Sequence, residues 1–157
     1  MNDKTMSMLE TSLGLTEEEA AILGPIMTML DLSDGDYLIS EGTADNALHV
    51  LLTGKLEVVK KTGAGEVASL AVLREGDLAG ELSFIDGEQH TVGLRALCDT
   101  KVISLARKDF ESIVDKNPQL VYKLMSAVAR SAHKIVRRMN SEFIELSNYI
   151  FKQHGRY

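Results

Sequence analysis

From residue 32 to residue 106 the chain repeats one texture. An apolar run of four to seven residues is followed by a turn built on glycine or aspartate, roughly every 8–12 residues. This constrains the fold more than any other feature. The runs are too short for helices but long enough for strands that pair through tight local turns. The expected strands are 37–40, 47–53, 55–61, 67–73, 92–96 and 101–106. Gly54 stands between two of them and permits a tight hairpin, and Gly63-Ala64-Gly65 a looser one. The pattern predicts an all-β roll or sandwich.

Helical signals flank this region. Thr16 followed by Glu17, Glu18 and Glu19 fits an N-cap with a capping box, opening a short helical segment over 16–29 that Gly24-Pro25 interrupts. Residues 1–15 are polar with scattered Met and Leu and are expected to be frayed. A short helix is predicted over 107–114, ending before Pro118. Beyond Pro118 there is no further proline, and no glycine before Gly155. There Val121, Met125, Val128, Ala132, Ile135, Met139 and Leu146 recur in alternating steps of four and three, with Glu142 as the one misfit. That is the seam of a coiled coil, which calls for a second copy. The alternative is that the helix packs back on its own roll through Leu120, Leu124 and Phe143.

Within the strand region one stretch, 76–96, reads GDLAGELSFIDGEQHTVGLRA. A glycine turn followed by a short helical turn directs backbone N–H groups into a shared hollow, which favours an anion. Glu81 cannot serve that anion but can accept from a hydroxyl beside it, so the pairing suits a ribose phosphate. At Gly80-Glu81-Leu82 the chain resembles the phosphate-binding cassette of the cyclic nucleotide-binding domains, the β-roll module of catabolite-activator regulators, cyclic-nucleotide-dependent kinases and gated channels. Gly35, Gly42 and Gly54 also sit where that family places glycines, and the resemblance spans about 32–140. His90 stands in the slot the family fills with arginine, and Gln89 where some members carry proline.

The resemblance implies an α+β fold: an antiparallel β-roll (a jelly-roll or cupin-like double-stranded β-helix) flanked by short N-terminal helices and a long C-terminal helix. The expected divisions are an N-terminal helical segment over 1–31, the roll over 32–116, and a lid and dimerisation helix with its tail over 117–157. It further implies that Glu81 accepts the ribose 2′-hydroxyl, and that the backbone at Gly80, Leu82 and Ser83 holds the phosphate with the Thr91 hydroxyl. His90 would be its charge partner. Leu70 and Leu73 would floor the base pocket, and Ile135 and Val136 on the long helix would touch the base. An arginine pairs a phosphate bidentately and stays charged, whereas histidine changes charge near neutral pH. Losing the bidentate contact costs about 2–5 kcal/mol, roughly thirtyfold to several thousandfold in affinity. Arg95 lies five residues on, an odd strand spacing that places it on the opposite face.

Charge is uneven along the chain. The total is −6, yet from Val121 onward seven bases stand against Glu142 and Glu145, a balance of +5 on an otherwise acidic body. The four histidines show no paired ligand spacing and Cys98 is the sole cysteine, so neither a metal site, an iron–sulfur cluster nor a disulfide is expected. With no run of about 18 apolar residues and no secretory leader pattern, the expectation is a cytoplasmic chain with no membrane contact. About twenty residues follow Met139, too few for the family's helix-turn-helix, so direct DNA binding is not expected. The reading is a non-catalytic sensor for cyclic AMP or cyclic GMP, without a covalent cofactor. It would act as a homodimer through the C-terminal helix and signal to a downstream protein that the sequence does not identify. The alternative is a degenerate roll that has lost nucleotide binding and serves as a dimeric interaction module.

Overall fold

The computed structural model describes residues 1–155; the tail residues 156 and 157 lie outside the described residues. Helix α1 (Asp3–Leu13) replaces the expected frayed terminus. The Asn2 side chain accepts from Thr5 N at 2.9 Å to cap it. Thr5, Leu9 and Leu13, at i, i+4 and i+8, bury one stripe in the core. What looked like scattered apolar residues is one helical face. Helix α2 (Glu17–Leu23) carries the predicted capping box between Thr16 and Glu19.

A single 3₁₀ turn (Gly24–Ile26) ends that helical segment earlier than expected, and Met27 is already extended. Residues 28 and 29, read from sequence as helix, open strand β1 (Thr28–Leu32). Seven further strands follow: β2 (Tyr37–Ile39), β3 (Ala47–Thr53), β4 (Leu56–Lys61), β5 (Val67–Leu73), β6 (Leu78–Ala79), β7 (Gly93–Ala96) and β8 (Thr100–Ala106). They form two antiparallel four-stranded sheets, ordered β1-β8-β3-β6 and β2-β7-β4-β5. Helix α3 (Glu81–Asp86) interrupts the strands between β6 and β7. Helices α4 (Arg107–Glu111) and α5 (Pro118–His154) complete the α+β roll.

Strand β3 is buried on both faces, and alternation gives those faces different neighbours. Leu48, Val50 and Leu52 join Leu9, Leu13, Leu23, Phe84, Leu120 and Leu124 in the main core, between sheet and helices. Leu51 faces inward with Leu56, Ala96 and Val102. His49 shares its face and sits opposite Ser104 of β8, so a polar pair is buried inside the roll.

The 37 residues of α5 extend about 55 Å at 1.5 Å per residue. Its N-terminal part belongs to the roll: Leu120, Leu124, Ala127 and Val128 are core residues, with Val121 and Met125 packed against them. The Lys123 ammonium meets Glu19 at 2.8 Å, tying α5 to α2. The expected seam is therefore corrected. Its first three residues lie against the chain's own roll, as the packing-back alternative had it. Phe143, proposed for that packing, is 69% exposed. An exposed stripe starts later, at Val136, Met139, Phe143 and Leu146, again in steps of three and four, and Glu142 is no longer a misfit because it lies beside the stripe.

Candidate functional site

The cassette is positioned by β6. Pairing of His49 with Ala79 brings Gly80 against β3, and Gly80 takes φ 73° to turn the chain into α3. A Cβ there would stand 2.7 Å from the Ala47 carbonyl oxygen, so only glycine fits. The next residue, Glu81, is driven inward and is only 5% exposed. Burial raises its pKa above the ordinary value, reinforced by Asp77 nearby and opposed by hydrogen bonding and by His49. Ser131 of α5 donates to Glu81 Oε1 at 3.2 Å. Lys134, one turn further along, reaches Asp77 Oδ1 at 3.1 Å. The long helix is thus fastened at two points to the cassette.

Ser83 is buried and no group among the described residues satisfies its hydroxyl. A buried polar atom without a partner is uncommon and consistent with a site that takes a ligand. Leu82 is exposed, as is Thr91. Phe84 of α3 packs on Phe110 of α4 with ring centroids 5.5 Å apart, linking the cassette to the segment that leads into α5.

His90 does not stand alone. Its Nε2 lies 2.7 Å from Asp45 Oδ1, and Asp45 Oδ2 lies 2.8 Å from His49 Nε2. His49 Nδ1 in turn lies 2.6 Å from Ser104 Oγ. Burial acts to raise the Asp45 pKa, but hydrogen bonds from both histidines and their charge outweigh it and hold the group at about 2. Two of the four histidines therefore converge on one carboxylate, although their sequence spacing gave no sign of it. No cluster of three or more His, Cys, Asp or Glu suited to a metal ion occurs among the described residues. Arg95 pairs with Glu57 across the strands at 2.7 Å and is committed there.

The residues expected around the base are only partly assembled. Leu70 is the extra residue of a bulge in β5, since Val58 pairs with Ala71 and Val59 with Ser69, and it is half exposed. Leu73 packs against the two inner clusters. Ile135 is partly buried and Val136 exposed. The polar contact from the helix comes from Ser131, one turn before Ile135, which sequence reading passed over although the four-residue step was available. The basic residues Arg130, Lys134 and Arg137 line a hollow of about 460 Å³ along α5 with Ala129 and His133.

The family model for the cyclic nucleotide-binding domain matches residues 29–117. The chain belongs to the cyclic nucleotide-binding domain family. It is 26% identical over 164 residues to neuropathy target esterase sws of Drosophila erecta, a match covering 99% of this chain and 11% of the esterase. It is 26% identical over 117 residues to the cyclic AMP receptor protein of Thermus thermophilus, covering 74% of this chain and 54% of that protein. The crystal structure of a cyclic nucleotide-binding domain from Methylobacillus flagellatus superposes with a TM-score of 0.84 at 21% identity, covering 91% of this chain and 84% of that one. The chain spans about a tenth of the esterase and about half of the receptor protein. No described helix is long and apolar enough to cross a membrane.

Proposed function

We propose that this chain is a regulatory domain, without chemistry of its own, that binds cyclic AMP or cyclic GMP in the roll and transmits binding through α5. The observation that carries this reading is the Ser131–Glu81 hydrogen bond. The carboxylate assigned to the ribose is already engaged by the helix that would report on it. A 2′-hydroxyl arriving at Glu81 shares or displaces that bond, which gives the ligand different contacts in two packings of α5 and so a means to shift their populations. The phosphate would lie by the Gly80, Leu82 and Ser83 backbone with Thr91 and His90, and the base between Leu70, Leu73, Ile135 and Val136. Phe84 against Phe110 supplies a second route from the cassette to the helices.

The exposed Val136-Met139-Phe143-Leu146 stripe supports pairing with a second copy of the chain, leaving the roll surfaces for a downstream protein. Calorimetric titration with cyclic AMP and cyclic GMP at pH 6 and pH 8 tests the binding. The expected result is measurable affinity that is lost in Glu81→Ala. No heat at millimolar nucleotide would refute the sensor reading and leave the roll as an interaction module.

A further inference from the structure

The stretch 76–96 holds two basic side chains, His90 and Arg95. Histidine changes charge near neutral pH, and Arg95 is paired with Glu57 across the strands. Neither brings a permanent positive charge to the phosphate slot. A third basic side chain reaches the same place from β4. Leu56 and Val58 of that strand pack in the two inner clusters, which include Val102 and Ala79 of the facing sheet. Alternation puts Lys60 on that inner face with them, while Val59 and Lys61 turn outward to line a hollow with Tyr37.

A lysine at an inward position after a leucine and a valine is costly unless its charge meets an anion or stays hydrated. Strand β4 lies between β7 and β5, so the residue does not guard a sheet edge. Its pairing with β7 stops at Val59 opposite Gly93. Lys60 comes next, where the end of the cassette runs into β7, and its ammonium donates to Thr91 O at 2.7 Å. Glu41 steadies it from the other side, accepting from Lys60 Nζ at 2.8 Å and from Lys61 N at 3.0 Å. Those hydrogen bonds hold the Glu41 carboxyl below its ordinary pKa, so the pair stays ionised at neutral pH. An ammonium has three donors, and Thr91 and Glu41 engage two. The third is free to meet a ligand, because the Lys60 side chain is 45% exposed.

We infer that Lys60 is a phosphate-binding residue of this chain: its ammonium, held at the Thr91 carbonyl by Glu41, supplies from β4 the permanent positive charge that the cassette does not carry. The inference rests on the cyclic nucleotide reading of the pocket and assigns the charge partner of its phosphate. A compact ammonium with one free donor makes a single charged contact where an arginine makes two, so it selects for an anionic ligand without bidentate geometry.

The test is calorimetric titration of the full chain with cyclic AMP, and an amide-shift titration with inorganic phosphate as a base-free probe. The proteins are wild type, Lys60→Met, which keeps the apolar stem, and Lys60→Arg, which keeps the charge. Lys60→Met should weaken cyclic AMP binding at least about tenfold, and Lys60→Arg should stay within about threefold of wild type. The advantage of wild type over Lys60→Met should shrink as ionic strength rises from about 0.05 M to about 0.5 M. A lysine that only braces the cassette would give the same factor at every salt concentration, and that result overturns the inference. Lys60→Gln replaces Lys60→Met if that variant does not fold. If wild type binds cyclic AMP and the uncharged variant binds it as tightly, the Lys60 contact is overturned and the sensor reading stands. If wild type binds inorganic phosphate but not cyclic AMP, and the uncharged variant binds neither, the contact stands and the sensor reading falls. If wild type binds neither ligand, both fall.

Discussion

Glu81→Gln should make the protein more stable and its pocket less able to hold a ribose. Glu81 is a carboxylate at 5% exposure whose one side-chain donor among the described residues is Ser131 at 3.2 Å, with Asp77 as a negative neighbour. Glutamine keeps the shape and can still accept from Ser131, but it buries no charge. A polar group buried with too few partners costs about 1–3 kcal/mol in mutational series. A gain of about 1–2 kcal/mol at neutral pH is therefore expected, roughly 2–8 °C in Tm for a chain of this size. Because burial raises the Glu81 pKa above 4.5, the native state takes up this proton before the unfolded state does. The penalty is full at neutral pH and shrinks as pH falls through the raised pKa toward 4.5. Thermal unfolding of both proteins at pH 5 and pH 8 reads this directly, with the larger gap at pH 8. A variant that melts lower at pH 8, or a gap that does not change with pH, would refute the argument. The same substitution exchanges a charged acceptor for a neutral one, so nucleotide affinity should fall roughly tenfold, the smaller end of the value of a hydrogen bond to a charged group.

Further outcomes follow from single contacts. Ser131→Ala removes one of the two links between α5 and the cassette and leaves Lys134–Asp77; stability should fall by about 1 kcal/mol, with faster amide exchange in the middle of α5. Phe143→Glu should abolish self-association in sedimentation while leaving unfolding of the single chain within about 0.5 kcal/mol, since its side chain lies outside the core. Leu124→Ala empties a fully buried position in the main core, so denaturant unfolding should show a loss of about 2–5 kcal/mol. Asp45→Asn should flatten the acid limb of stability. The depressed Asp45 pKa contributes stability above 3.8 that is lost as pH falls toward about 2, and a titration of Tm between pH 5 and pH 2 measures it.

Much of the architecture follows from local chemistry. Glycine turns cut the chain into short strands, Thr16 and Glu19 satisfied each other across one helical turn, and the lack of proline after Pro118 let one helix run on. Such features are written in contiguous residues and survive in any tertiary context. The pairing was not local, since of the described strands only β4 and β5 pair as neighbours in sequence and β3 and β4, on either side of Gly54, lie in different sheets. Helix α1 was legible in principle through Thr5, Leu9 and Leu13, but its polar composition hid a face that matters only once a core lies beside it.

Tertiary structure alone decided the rest. A heptad pattern shows that a helix has an apolar face, but not which neighbour covers it. Packing of Leu120, Leu124 and Val128 on the roll moved the open stripe of α5 to Val136 and beyond. The site shows the same division. Gly80 and Glu81 are adjacent in the chain, so their place in the cassette could be read directly. Ser131 meets Glu81 across 50 residues, and Asp45 meets His90 across 45. Those contacts exist because sheet register and loop anchoring bring distant backbone segments together, and no spacing in the sequence encodes them.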